Sequence, residues 1–297
     1  KGMDETVLPF EDCEMSPTND EMRDVATKFL VNLRSNLTSG TKQIDGLEAI
    51  CQITRDVLSD GNQSEEEEYF GRKLWLADIN KAMEHFPESA SIQETACRCL
   101  TALLQERPSL CKFIGQGKGQ LPLPHNISLA LKKHWDISAL FKSACDVMLM
   151  MLSNEPRLQQ DFSTLDVHTA ILLKISASQE TQELVKAFQV LVYVSRDNTE
   201  FKEKLLKEDI LFSISGVFNV LPSDREVLKH AITLLRTMAD GYPLVTHQCV
   251  VEEIHLSLLH ILRQCKMFVA LLDVAIETLD MFCTVQGISD ILVTSGC

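Results

Sequence analysis

A short apolar phrase recurs five times and constrains the fold more than any other feature of the chain. It reads ETACRCLTALLQ at 94–105, KSACDVMLMMLS at 142–153, VKAFQVLVYVS at 185–195, KHAITLLRTMAD at 229–240 and DVAIETLDMFCT at 273–284. Its marker alanines, Ala96, Ala144, Ala187, Ala231 and Ala275, are separated by 48, 43, 44 and 44 residues. A period in the low forties, with amphipathic segments filling each unit, specifies a stack of helical repeats in which each unit buries its apolar face against its neighbours. Such stacks are elongated and serve mainly as binding surfaces.

Composition agrees with stacked helices. Apolar residues make up 45% of the 297, aromatics only 6%, and the 12 glycines and 9 prolines are too few for a turn-rich β fold. The formal charge of −14 opposes binding to nucleic acid or to an anionic membrane surface, both of which demand a basic footprint. The small clusters Lys132-Lys133-His134 and Lys202/Lys204/Lys207 read as solvated helix ends. Cys51, Cys97, Cys145, Cys249, Cys265 and Cys283 fall within apolar periodicity, which suits small buried hydrophobes rather than a disulfide framework. With no signal peptide and no apolar run near 20 residues, the expectation is a cytoplasmic chain, with the nucleus as alternative and no membrane insertion. The sequons at Asn36, Asn62 and Asn126 then read as chance.

Along the chain, residues 1–19 read as a flexible leader and 20–59 as a degenerate N-terminal helical repeat. Residues 60–73 read as an acidic linker, and 74–297 as the regular array. Helices are expected at 20–33, 41–58, 74–86 and 89–106, then as pairs at 125–134 and 136–153, 164–176 and 179–196, 210–220 and 223–240, and 252–264 and 267–284. Short helical turns follow Pro108 and Asn198. The final QGISDILVTSGC reads as the entry to a further repeat, so the array is expected to continue.

The stretch NTEFKEKLLKEDILFSISGVFNVLPSDREVLKHAITLLRTMA resembles a whole armadillo repeat: a short helix, a medium helix and a long one. Val227, Ala231, Leu234, Leu235, Met238 and Ala239 fill the apolar slots of its long helix. The run IQETACRCLTALLQERPSL, within 65–123, is similar to the armadillo segment of the leucine-rich repeat kinases. The resemblance implies an all-α, right-handed armadillo-like α-solenoid of about six degenerate repeats. It also implies a regulatory surface able to dock a small Rab-type GTPase. Nothing in the chain resembles a kinase domain.

Armadillo proteins that capture extended peptides carry an asparagine ladder on the concave face, with tryptophans one turn earlier. Here the resemblance puts the asparagine slots at Ala102, Met150, Tyr193, Thr237 and Met281, and the tryptophan slots at Arg98, Asp146, Gln189, Thr233 and Glu277. None is Asn or Trp. An amide both donates to and accepts from a peptide backbone, which Ala and Met cannot do. Peptide capture of that kind is therefore disfavoured. These ten positions and Arg236 become the candidate partner-binding face, with Met and Tyr supplying adaptable burial and Arg98, Arg236, Asp146, Glu277 and Asp280 orienting the partner by charge. Trp75 and Trp135 read as core anchors.

Catalytic and metal chemistry find no motif. GQGKGQ at 115–120 lacks the phosphate-loop spacing. Cys97 and Cys99 would project about 200° apart on a helix. His247, Cys249, His255, His260 and Cys265 contain no i, i+4 pair of the kind a helical zinc site uses. The expectation is a non-catalytic scaffold without cofactor. Its partners would be other proteins or, in a spacer role, other domains of the same chain.

Overall fold

The computed structural model describes residues 39–56, 65–115, 120–264, 267–285 and 287–294. Among them lie fifteen α-helices, one 3₁₀ turn and no strand: α1 (Gly40–Asp56), α2 (Glu65–His85), α3 (Ala90–Glu106), the 3₁₀ turn Pro108–Phe113, α4 (Leu123–Lys133) and α5 (Ser138–Asn154). Then follow α6 (Leu158–Thr164), α7 (Val167–Ala177), α8 (Thr181–Ser195), α9 (Thr199–Lys207) and α10 (Ile210–Val220). The last are α11 (Arg225–Ala239), α12 (Pro243–Val251), α13 (Ile254–Gln264), α14 (Val269–Cys283) and α15 (Ile288–Thr294). The expected helix at 20–33, the leader at 1–19 and the sequons Asn36 and Asn62 lie outside the described residues.

The recurring phrase forms the long helices. α1, α3, α5, α8, α11 and α14 pack side by side in chain order, while α2, α4, α7, α10 and α13 form a second, parallel row. An inner long helix has neighbours on two sides, so its phrase is apolar on both: Ala96, Cys97, Leu100 and Leu104 in α3, or Ala231, Ile232, Leu235 and Met238 in α11, are all 0% exposed. Burying each such aliphatic side chain contributes about 1.5–3 kcal/mol before conformational entropy is charged against it. The marker alanines let the helices approach closely, and all five are fully buried.

Helix starts are set by local chemistry. Asn198 accepts from the Phe201 amide at 3.0 Å, Asp224 from the Val227 amide at 3.2 Å, and Ser89 from the Ile92 amide at 3.5 Å. Pro243 occupies the first turn of α12, where a missing N–H costs nothing. Before each of the later medium helices the chain reverses through a left-handed residue: Asp166, Asp209 and Glu253, with φ of 48°, 55° and 57°. Neighbouring units are stitched at these starts. Glu180 accepts from Lys142 at 3.0 Å and from the Ser138 hydroxyl at 3.2 Å, and the Thr181 hydroxyl donates to Asp224.

Three boundaries differ from the sequence reading. α2 starts at Glu65, so 65–73 is helical rather than linker. α6 and α12 each supply a short helix before a medium one, where the polar LQQDFST and the β-branched PLVTHQCVV hide helical periodicity. They complete the short, medium and long triplet that the armadillo resemblance implied.

Several polar groups inside the stack are bonded to one another. Asn126 is buried and donates to Asn80 at 2.9 Å, linking α4 to α2. Lys174 of α7 and Glu183 of α8 form an ion pair at 2.8 Å with both side chains under a tenth exposed, and the ammonium lies 5.3 Å from the Phe141 ring centre. Cys51, Cys97, Cys99, Cys111, Cys145 and Cys249 are buried free thiols. Burial pushes Cys97 up to about 12 and Cys111 up to about 11, so both stay protonated and inert near neutral pH. Trp75 and Trp135 are half-buried against the core, as anchors.

Candidate protein-docking groove

The exposed stripe of the long-helix row forms a groove. One hollow is lined by Thr54, Arg98, Thr101, Ala102, Gln105 and Asp146, among others, with a volume of about 200 Å³. The next, about 540 Å³, shares Thr101, Gln105 and Asp146 and continues across Met150, Gln189, Tyr193, His230 and Thr233. The two together cross α1, α3, α5, α8 and α11. Arg98, Ala102, Asp146, Met150, Gln189, Tyr193 and Thr233 therefore lie in one continuous surface. Arg236, Thr237, Glu277 and Met281 do not line these hollows and sit beyond them toward α14, each partly or fully exposed.

The floor of the groove is more apolar than its composition suggests. Leu149 and Met150 of α5 stand beside Val192 and Tyr193 of α8. The Thr101, Thr233 and Thr237 hydroxyls donate to the carbonyls of Cys97, Lys229 and Thr233 at 3.0, 2.7 and 2.9 Å. Hydroxyls bonded back to their own helix have spent their donor and leave their methyl groups to pack. Asn154, near the end of α5, likewise donates to the Met150 carbonyl at 2.7 Å.

Charge is arranged differently from the sequence expectation. Asp146 holds the Lys186 ammonium at 2.5 and 2.6 Å, Arg236 pairs with Glu277, and Arg98 reaches Glu94 and Glu48 at 3.6 and 3.9 Å. These are mostly pairs between successive long helices, so four of the five charges expected to orient a partner, Arg98, Asp146, Arg236 and Glu277, are already tied into the array. Exposed pairs of this kind contribute about 0–1 kcal/mol each and chiefly fix side-chain positions. His230 lies 3.4 Å from Gln189; burial, aided by Lys229, holds its imidazole below the usual pKa, while Glu226 opposes.

Sequence reasoning missed Thr101, Gln105, Leu149, Ser153, Val192 and His230 in the groove wall. All lie within one helical turn of a position it named, so applying the i, i+3, i+4 rule around each slot would have found them. Among the described residues no group of three or more His, Cys, Asp or Glu side chains is placed to hold a metal ion, and no helix is long and apolar enough to cross a membrane. His247 and His260 are exposed, whereas Cys249 and His255 are buried.

A row of long helices facing a groove, backed by medium helices and linked by short ones, defines an armadillo-type α-solenoid. The LRRK2 ARM repeat family model matches residues 10–191, more than half of the chain, and the chain belongs to that family. Two crystal structures of engineered proteins share the architecture. One is 15% identical with a TM-score of 0.65, covering 90% of this chain and 98% of that one. The other is 13% identical with a TM-score of 0.63, covering 88% and 99%. At such identities the likeness shows the fold alone.

Proposed function

We propose that the chain is a non-catalytic protein-interaction scaffold that docks a protein partner in the concave groove. The observation that carries this reading is the continuity of the groove across five long helices, with Leu149, Met150, Val192 and Tyr193 clustered at its centre. Binding energy in protein interfaces concentrates in a few buried anchors, and an unbranched Met beside a Tyr offers adaptable apolar contact. With the neighbouring charges already paired, a partner meets neutral polar and apolar surface at the centre, and ion pairs along the row of long helices. The buried free thiols suit a reducing compartment such as the cytoplasm.

The test is affinity enrichment with the wild-type chain and with Met150→Asp/Tyr193→Ala. A defined set of partners should be lost from the variant while its melting temperature stays close to wild type. An unchanged set of partners would remove the groove from consideration. The GTPase reading implied by the family resemblance separates cleanly, because capture would then depend on whether GDP or a GTP analogue is supplied. A spacer role within a longer chain would leave the folded chain without any captured partner.

A further inference from the structure

The medium helices repeat in register as the long ones do. α7, α10 and α13 are each 11 residues long, pack side by side, and follow a left-handed acid, Asp166, Asp209 or Glu253. Ile171, Ile214 and Leu258 share one slot facing the core and are buried. One slot facing outward holds Thr169, Phe212 and Leu256, and the slot a turn later holds Leu173, Gly216 and His260. Phe212 is 77% exposed, and Leu173, Val220 and Leu256 are exposed around it. α10 lies inside the array with α7 and α13 packed on either side, so a further unit of the stack would not cover this face.

Two features of α10 are unexplained by packing within the chain. Phe212 holds an aromatic ring in solvent. Gly216, one turn on, has an ordinary helical backbone, and a Cβ there would meet no atom within 4 Å. Glycine inside a helix weakens it relative to alanine, and nothing packed on α10 requires it here. A ring beside a notch on one helix is self-complementary. In an antiparallel pair related by a two-fold axis, residue i meets residue j and j meets i. An axis at the level of Ile214 puts each Phe212 in the other copy's Gly216 notch. The same level in α13 is Leu258, from which Glu253 and Arg263, both exposed, lie five residues either way. The axis therefore sets Glu253 against Arg263 of the second copy, and Asp209 and Asp166 against Asn219 and Ser176. A parallel pairing would instead bring Asp209 onto Asp209 and Asp166 onto Glu253, and like charges in contact oppose association.

We infer that the outward face of α7, α10 and α13 is a docking surface for a second copy of this chain, laid antiparallel about a two-fold axis at Ile214. Phe212 is the knob, Gly216 the hole, and Glu253 and Arg263 pair between copies at the rim. The apolar centre supplies burial, and the rim charges fix the direction of the helices. This surface belongs to the medium-helix row, on the far side of the stack from the groove centred on Met150 and Tyr193. A dimer built on it leaves the groove of each copy free.

The test is sedimentation velocity of the full chain from about 1 to about 100 µM, a range that brackets micromolar association. Reductant is present so that the exposed Cys283 forms no disulfide. The wild type should shift from monomer to a discrete dimer. Phe212→Asp should weaken association about tenfold or more. Gly216→Gln fills the notch with a better helix former, so its melting temperature should equal or exceed wild type while its dimer is lost. Glu253→Arg and Arg263→Glu should each weaken association about tenfold on their own, because like charges then face each other. An equimolar mixture of those two should regain wild-type affinity, since their heterodimer restores opposite charges at both rims. Because Phe212, Glu253 and Arg263 are exposed, the melting temperatures of their variants should match wild type at low concentration. A monomer at every concentration overturns the inference, and so does a dimer unaffected by Phe212→Asp. A mixture as weak as its components removes the two-fold pairing and overturns it too. A dimer that Ile276→Asp abolishes and Phe212→Asp does not would belong to α14. A monomer that captures another protein through Phe212 would give the face to that partner. Either result overturns the inference as well.

Discussion

Helices α11 and α14 carry the same phrase in the same register, yet one is covered on both sides and the other on one. Ile232 and Ile276 are the same amino acid in the same slot of successive units, 0% and 55% exposed. The phrase therefore encodes a helix competent to be sandwiched, and only its neighbours decide whether each apolar slot is core or surface. An identical substitution at the two positions should separate these roles. Ile232→Asp places an unpaired carboxylate in an apolar stack and should cost more than about 5 kcal/mol, enough to unfold the chain. Ile276→Asp should cost no more than about 0.5 kcal/mol. Thermal denaturation followed by far-UV circular dichroism measures both; equal effects would mean that Ile276 is buried in solution.

The same unit-by-unit comparison sharpens the role of the buried ion pair. Lys174 and Glu183 occupy slots that the next two units fill with Val217 and Val227, then Ile261 and Leu271, all buried. Burial pushes the Glu183 carboxyl up, but hydrogen bonds from Lys174, Ser178 and Ser138 outweigh it and hold the pKa below the usual carboxylate value. Glu183→Val alone should cost about 3–5 kcal/mol, because it leaves Lys174 charged in a dry site. The double variant Lys174→Val/Glu183→Val copies the next unit and should be neutral or stabilising. The pair's contribution is present above the ordinary carboxyl pKa and lost as pH falls through the lowered one. Urea titrations from pH 6 downward should thus show a steeper decline for wild type than for the double variant.

How far the sequence exposed all this follows from what periodicity can and cannot carry. The slots of the recurring phrase placed the long helices, the core alanines and seven of the groove-lining residues. Periodicity says nothing about a partner's identity, so it assigned Lys174, Glu183 and His168 no core position although all three are buried. It assigned Asp146 and Arg236 to orienting a partner, whereas they pair with Lys186 and Glu277, about 40 residues away in sequence and one helix away in space. Thr233 and Thr237 read as polar groove positions; only the hydroxyl bonds back to their own helix reveal methyl surface.

His168 extends the comparison at a smaller scale. Its slot holds Leu211 in the next unit and His255 in the one after, all buried. Burial lowers the His168 pKa against the opposing pull of Glu208, 3.1 Å away, and of Asp166, while Lys204 adds to the lowering. The folded state thus takes up its proton at lower pH than the unfolded chain does. Below the unfolded value of about 6.5 the unfolded state binds the proton first, so stability falls with pH until the folded pKa is reached. His168→Leu, the residue of the next unit, should flatten the stability profile over that window. A profile as steep as wild type would move the sensitivity to another group.

The smallest difference between units lies in the backbone. Asp197 and Gly241 stand at the same place, one residue before the cap of a short helix, with φ of 53° and 65°. A left-handed conformation costs an L-residue roughly 1 kcal/mol, less for Asp, while glycine adopts it freely but loses more chain entropy on folding. A Cβ at Gly241 would meet no atom within 4 Å, so the site has room for either residue. Asp197→Gly should therefore shift stability by no more than about 0.5 kcal/mol, the strain relieved nearly cancelling the entropy lost. Gly241→Asp should give a similarly small change of opposite sign. Chemical denaturation of the two single variants and of the exchanged pair resolves these values if measured together. A loss above about 1 kcal/mol in Gly241→Asp would show that the two turns, although superposable in φ, are held by different surroundings.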